Sequence, residues 1–547
     1  MDNSEVIIFT QEQNNIFQYA KTGILNILVE AVAGAGKTTT LIESVKQILE
    51  FKGDKKILLL AHNKSTRDTL KSKLQTKVGD KSKNVLVCTL HGLAWRLFTE
   101  NYNKIPEIND NKYRDYIAQN MDTIGSDSYK SLNGNSKMIY RANLIQLINI
   151  SRHYLKGGEK EIKKLAKKLN IDIIADECHA VANILKWGRE NIDVVDFQDL
   201  LYFPSVLGYK SKKYLSDYIF LDEAQDASLA QQYVITCCMA RHSRLIAFGD
   251  TDQTINSWCG SDIEALNNIK DNENNLLIDF RRKAETFPLS TNYRCGKKII
   301  EYAKQFSEKN GQNGIKPRPD AQDGSVNFNV RLSEIKNHDM VLCRNSAPLM
   351  QLYRRLVSDG QKVYFRGEEL GQTLVNTVNE MTGETIPEII FNLKRRLIAW
   401  WEFLTIESGL DPRETMTHPI IISNFDTLKT LEELPKNIIS RKDLELFVAD
   451  IFKDEGQDGI QLSTIHRAKG LEADNVFIIC PSLIPSRLSQ TEDELAEERR
   501  LQYVMCTRPK DSLNFVTEKD IRPNNAYSEN NSFYDELIKI KNEINES

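Results

Sequence analysis

The apolar positions of this chain fall into short unbroken runs separated by stretches of helical period. A run from Ile24 to Val29 predicts a buried strand, and beyond it Leu41, Ile42, Val45, Ile48 and Leu49 recur at the spacing of one helix face. Tyr218, Ile219, Phe220 and Leu221 predict a second short buried strand. Strands that read as continuous apolar runs belong to parallel sheets covered by helices on both faces, so the expected fold class is α/β. Two long stretches interrupt this pattern. One, between Phe98 and Asp196, is rich in Lys and Asn and has helical periodicity; within it Ile162, Leu165, Ala166 and Leu169 share a face opposite lysines. The other, between Gly367 and Gln461, starts a predicted helix at Pro387 and carries Lys394, Arg395, Arg396, Trp400 and Trp401. Tryptophans at helical spacing are more often core than a stacking surface.

The polar residues that follow the two apolar runs carry the chemistry. AVAGAGKTT occupies 31–39, between a predicted strand and a predicted helix, which is the context a phosphate-binding loop requires. Gly34 and Gly36 let the backbone bend so that the N–H groups of Ala33, Gly34, Ala35, Gly36 and Thr39 surround phosphates at a helix N-terminus. Lys37 reaches the terminal phosphates and Thr38 can hold a metal ion; Ala31 stands where the usual pattern has glycine. A tight turn with no ligand is the plainer reading of this segment alone. The second run ends in LDEAQD at 221–226, where Asp222 is placed to bind Mg2+ and Glu223 to orient and deprotonate water. An apolar strand running directly into Asp-Glu argues against a merely solvated acidic loop.

With these two motifs the chain resembles the superfamily 1 DNA helicases of the UvrD/Rep group. Phe9, Thr10 and Gln13 resemble the Q motif, and NKSTRDTL (63–70), TLHGLAWRLF (89–98), DFQDLL (196–201), GDTDQTINSWCG (249–260), NYRCG (292–296), LSTIHRAKGLEADNVFII (462–479) and EERRLQYVMCTRP (497–509) follow in the family's order. Each motif is weak alone, but their order over most of the chain is hard to produce by chance. The resemblance implies two RecA-like motor lobes with parallel sheets, each interrupted by a mainly helical accessory subdomain. It places them at 1–98 with 196–280 and at 281–367 with 459–522, the insertions at 99–195 and 368–458, and a tail at 523–547. It further implies that Gln13 reads adenine, Tyr293 stacks on it, Glu472 accepts from the ribose, and Arg294 and Arg508 face the terminal phosphate, Arg508 as the arginine finger. Gln253 would sense the nucleotide state. Asn63, Lys64, Thr89, His91, Thr464 and His466 would contact the DNA backbone, and Trp258 would stack on a base. Three residues depart from the family pattern: Ala61 and Asn256 replace aromatics, and Cys259 replaces an arginine.

Composition narrows this picture. A chain of 547 residues, 41% hydrophobic and 27% charged, is expected to form several globular units, and it contains no apolar stretch long enough for a bilayer. The acidic start MDNSEVIIF does not resemble a secretion signal, so a cytoplasmic location without a membrane partner is expected. Nine cysteines occur with no Cys-x-x-Cys pair, as expected of thiols in a reducing compartment. A net charge of −4 argues against a protein that coats nucleic acid over its whole surface, so contact is expected to be local. The run from Lys52 to Lys83 supplies it, with ten Lys and Arg against three Asp.

The function expected from the resemblance is an ATP-dependent translocase and helicase on single-stranded DNA, moving 3' to 5' and unwinding duplex by ATP-driven lobe closure. ATP and Mg2+ would be its cofactors, and single strands and single/double-strand junctions its substrates. Two other readings stay open. One is the motor of a repair, replication or defence complex that remodels protein-DNA complexes, with a protein partner on the second insertion or the C-terminal tail. The other is a nucleotide-gated DNA-binding switch with little unwinding.

Overall fold

Six strands form the first sheet in the order Val85–Thr89, Ile57–Ala61, Ser216–Leu221, Met239–Gly249, Asn26–Ala31, Ala284–Leu289. Every pairing is parallel. Ile57–Ala61 reads ILLLA and is buried throughout, as a central strand covered on both faces must be. Helix Lys37–Lys52 packs with Leu41, Ile42, Val45, Ile48 and Leu49 turned inward, the face its periodicity predicts. The strand expected from Ile24 instead runs Asn26–Ala31, and Ile24 is 74% exposed, because the Asn26 side-chain amide donates to the carbonyls of Phe280 and Arg282 and anchors the strand's start there. The computed structural model describes residues 8–546 except 125–126, 132–133, 170, 172, 174–175, 256–263, 273–276, 310–313, 367, 409–410, 413, 418, 454–457, 487–488, 490 and 518–532. It divides into two compact units, one running to Thr291 and one from Asn292 onward.

The first insertion is helical, with Lys112–Ile124, Asp127–Ser131, Gly134–His153, Glu159–Lys168 and Glu177–Glu190 among its described residues. A buried ionic network ties it to helix Phe197–Val206 of the first unit. Asp196 caps that helix by accepting from the Asp199 N–H, and Arg152 donates to Asp196 at 2.6 and 2.7 Å and to Asp199 at 2.9 Å. Lys112 and Tyr113 complete the coordination of Asp199 at 2.7 and 2.6 Å. Arg152 is therefore a structural ion, not part of a cationic surface, since a guanidinium this buried needs carboxylate partners.

Two expected boundaries move. Ala284–Leu289 pairs with Asn26–Ala31 as the edge of the first sheet, so the first lobe extends past 280 to Thr291. Phe452–Lys453, expected within the second insertion, pairs with Val363–Arg366 in the second sheet. In both cases a short strand with weak alternation is recruited by its neighbour's unpaired edge.

The second unit is built on seven strands, in the order Ser325–Val330, Pro509–Val516, Ala473–Ile478, Met340–Cys343, Ile460–Thr464, Val363–Arg366, Phe452–Lys453, all parallel. Among the described residues its insertion contains helices Glu368–Glu380, Ile386–Ser408, Pro419–Glu432 and Arg441–Ile451. Trp400 and Trp401 are buried, and the Trp401 indole N–H donates to the Pro412 carbonyl at 2.9 Å, so both belong to the core. The C-terminal helix Phe533–Glu546 is not a solvated tail. It packs on Ile386–Ser408 with Leu537 and Ile540 buried.

Candidate nucleotide and DNA sites

Parallel strands all end on one edge of a sheet, where an open α/β fold places its ligand site. In the first unit that edge holds the phosphate loop after Asn26–Ala31, Asp222 after Ser216–Leu221, and Asp250 after Met239–Gly249. Gly34 and Gly36 have φ of 65° and 74°, the left-handed conformation that turns successive N–H groups inward and that other residues adopt at a cost. Ala33 and Ala35 are buried beneath the loop, and Thr38 and Thr39 lie in the first turn of the helix that Lys37 opens.

Lys37 Nζ lies 2.9 Å from Glu223 Oε2. Glu223 sits at φ 52°, a strained conformation for a residue with a Cβ and one often found where a side chain must be aimed at a reaction. Its Oε2 also accepts from Gln225 Nε2 at 2.6 Å; Gln225 Oε1 accepts from the Asp250 N–H at 3.1 Å, and Asp250 Oδ2 accepts from Gln253 Nε2 at 2.6 Å. Lys37, Glu223 and Gln253 thus belong to one connected network. Gln225 and Asp250, which link them, are functional positions that the motif reading passes over although they stand inside LDEAQD and GDTDQ. Asp250 is marked by standing directly after the strand Met239–Gly249, whereas Gln225, four residues past Leu221, carries no such signal.

The electrostatics suit an anionic ligand with a cation. Burial lowers the Lys37 pKa, but the carboxylates of Glu223, Asp250 and Asp222 outweigh it and hold the ammonium above its ordinary value. Burial, then the neighbouring Glu223, push the Asp222 carboxyl well up against the pull of Lys37. A buried carboxyl that resists ionisation in this way is one that a divalent cation would relieve. Thr38 and Asp222 would hold Mg2+, which would neutralise charge on the transferring phosphoryl group.

Gln13 is buried, and both ends of its amide are engaged. Oε1 accepts from the Thr10 N–H at 3.0 Å and Nε2 donates to Thr40 Oγ1 at 2.9 Å. Oε1 also accepts from the Thr10 hydroxyl at 3.4 Å, so the second Nε2 hydrogen is the position left for a base edge.

In the second unit, Thr507 draws two arginines together. Arg294 Nη1 donates to the Thr507 carbonyl at 3.0 Å and Arg508 Nη2 to the Thr507 hydroxyl at 3.0 Å. Arg294 Nε also donates to Glu472 at 2.8 Å, so Glu472 here serves an arginine; burial raises its pKa, but Arg294 and Lys510 prevail and hold it below the usual carboxylate range. Arg508 is 1% exposed and donates to the carbonyls of Val504, Leu471 and Ala468. Tyr293 is exposed, as a ring offered to a base must be.

The residues expected to meet DNA divide in the same way. Asn63 caps helix Lys64–Val78 at the end of Ile57–Ala61, and Thr89 caps helix Leu90–Tyr102 at the end of Val85–Thr89. They lie on the same sheet edge as the phosphate loop, on its other flank. Lys64, Lys71, Lys73 and Lys77 are exposed while Leu70 and Leu74 are buried, so the basic run presents a cationic helix face. His91 meets Phe197 edge to face, with ring centroids 6.3 Å apart. Thr464 and His466 belong to the second unit; burial, then Arg344 and Arg467, hold His466 neutral. Ala61 is fully buried, leaving no ring at that position. Trp258, Asn256 and Cys259 lie outside the described residues.

Comparison with known families decides between a generic nucleotide-binding fold and this motor. Residues 9–274 match the UvrD/REP helicase N-terminal domain, and residues 413–520 match the UvrD-like helicase C-terminal domain. The chain belongs to the UvrD/Rep helicase family. As a UvrD/Rep helicase it is an ATP-hydrolysing enzyme, and its two parallel sheets are the cores of two RecA-like lobes. The ATP-dependent DNA helicase PcrA of Staphylococcus epidermidis is 24% identical over 91% of this chain and 82% of its own length. That of Staphylococcus aureus is 25% identical over 91% of this chain and 81% of its own length. Among the described residues no helix is long and apolar enough to cross a membrane.

Proposed function

We propose that this UvrD/Rep helicase is a cytoplasmic ATP-driven translocase on single-stranded DNA, moving 3' to 5' and unwinding duplex from a single/double-strand junction. The observation that carries the reading is the connected network from Lys37 through Glu223, Gln225 and Asp250 to Gln253. Lys37 and Thr38 hold the nucleotide and its metal, Glu223 activates water, and Gln253 donates to the carboxylate of Asp250, whose N–H donates to Gln225, so a change at the phosphates reaches it through that network. Arg294 and Arg508, carried by the second unit, complete the charge around the phosphoryl group. Because they come from the other unit, hydrolysis requires the two lobes to close, which is the step that moves DNA. Asn63, Lys64, Thr89 and His91 on one lobe and Thr464 and His466 on the other grip the strand alternately.

Steady-state ATP hydrolysis with and without single-stranded DNA, beside RNA of equal length and an Arg508→Ala control, tests this. Stimulation by DNA, lost in the variant, is expected, followed by unwinding of a 3'-tailed duplex in preference to a 5'-tailed one. Equal hydrolysis with and without nucleic acid would sink the translocase, and preference for the 5' tail would sink the polarity.

A further inference from the structure

Glu12 holds the point at which the chain leaves the first unit. Its Oε2 accepts from the Ser290 backbone N–H at 2.8 Å and its Oε1 from the Ser290 hydroxyl at 2.6 Å. Ser290 is buried, Thr291 is the last residue of the unit, and Tyr293 and Arg294 follow directly in sequence. An acidic residue in the first turn of a helix ordinarily just complements the helix dipole. Here both carboxylate oxygens are bonded to one residue 278 positions away, which fixes that residue's place and orientation together.

The other side of Glu12 leads to the phosphate loop. Its neighbour Gln13 donates to Thr40 Oγ1 at 2.9 Å, and Thr40 Oγ1 donates to the Gly36 carbonyl at 3.1 Å. The helix that carries both residues is pinned by its Thr10–Gln13 capping box and by buried Ile16, Phe17 and Ala20, so Glu12 and Gln13 move as one. A second tie runs through the backbone: the Val32 N–H, in the loop, donates to the Leu289 carbonyl at 2.9 Å. The departing segment is thus held from two sides, by Val32 within the phosphate loop and by Glu12, whose neighbour Gln13 reaches the loop through Thr40.

We propose that Glu12 is a positioning residue that couples the state of the phosphate loop to the segment bearing Tyr293 and Arg294, so that nucleotide binding sets where that segment begins. This rests on the proposed action of Arg294 and Arg508 on nucleotide held by the first unit. Both Glu12 carboxylate oxygens are taken up by Ser290, so its loss acts on turnover and spares binding.

The test compares Glu12→Ala, Glu12→Gln, Ser290→Ala and the Glu12→Ala/Ser290→Ala pair in the full chain, measuring kcat for ATP and the Kd of a fluorescent ATP analogue. Glu12→Ala is expected to lower kcat about tenfold with Kd within about twofold, the scale of a misplaced but intact catalytic group. Glu12→Gln, whose amide oxygen can still accept from the Ser290 N–H, recovers most of the rate, and the pair is no worse than Glu12→Ala alone. A wild-type kcat in Glu12→Ala, or a Kd that weakens in step with kcat, overturns the inference. Arg508→Ala run in parallel separates the two readings. If it abolishes turnover while Glu12→Ala does not change it, only this inference falls; if Arg508→Ala turns over normally, the proposed function falls and this inference with it.

Discussion

Lys37 and Glu223, 186 residues apart in sequence, form an ion pair at 2.9 Å across the phosphate loop. An incoming phosphate must compete with Glu223 for the ammonium, and the carboxylate so released is the group proposed to take a proton from water. Glu223→Gln removes the competitor and the base together. Nucleotide affinity is expected to be unchanged or tighter while kcat falls by about 10² to 10⁴, the range of general-base catalysis. Lys37→Ala is expected to abolish turnover by losing affinity as well. Fluorescent-nucleotide titration beside single-turnover hydrolysis checks both, and normal turnover in Glu223→Gln would remove it as the base.

Much of this is legible in sequence, for a physical reason. The strands under the phosphate loop and under Asp222 are buried on both faces, so they read as apolar runs, and the residues at their ends stand out by contrast. Ala284–Leu289 is not legible because an edge strand with a proline in it, AETFPL, has no such signature. Nor is Glu12: its partner lies 278 residues on, and no local feature tells an acid that reaches a distant backbone from any other acid in a first helical turn. Arg152 is not legible as a buried ion, because Asp196 and Asp199, the carboxylates that neutralise it, lie 44 and 47 residues on.

Arg508 has two roles to separate. It organises the second unit through the carbonyls of Val504, Leu471 and Ala468, and it is the expected arginine finger. Arg508→Lys keeps a cation but cannot reproduce the guanidinium's fork. A loss in kcat of about 10³ is expected, with nucleotide Kd near the parent value, since the finger acts on charge that develops during phosphoryl transfer. Circular dichroism of the variant and kcat measured at saturating ATP give the decision: a folded variant with parental kcat would assign Arg508 to structure alone.

His153 makes the first insertion sensitive to acid. Its Nδ1 is buried without a hydrogen-bond partner, and burial, with Arg152 and His91 adding to it, pushes its pKa down to about 4. In the unfolded chain the ring takes up a proton below about pH 6.5. Between that value and about 4 the unfolded state therefore binds more protons than the native one, and stability falls as pH falls through this window. The expected contribution is up to about 3 kcal/mol, at about 1.4 kcal/mol for each pH unit between the two values. His153→Met removes this titration, so urea unfolding at about pH 7.5, 6 and 5, values that bracket the ordinary histidine pKa, should show a shallower acid loss than in the parent. Parallel curves would mean that the ring is solvated in the native state.

The C-terminal helix is expected to be a structural part of the second unit. Leu537 is fully buried against the insertion, Tyr534 meets Trp401 at 6.0 Å between ring centroids, and Glu536 accepts from Lys429 at 2.6 Å with both side chains mostly covered. Removing a buried leucine side chain costs the transfer of its methyl groups plus the cavity left behind. Leu537→Ala is expected to destabilise the second unit by about 2 to 5 kcal/mol. Because the first unit has its own core, only one of two unfolding transitions should move. A red shift in tryptophan emission should accompany that transition at lower denaturant, as Trp401 loses its cover. Unaltered unfolding in Leu537→Ala would mean that this helix leaves the insertion in solution and is available to bind elsewhere.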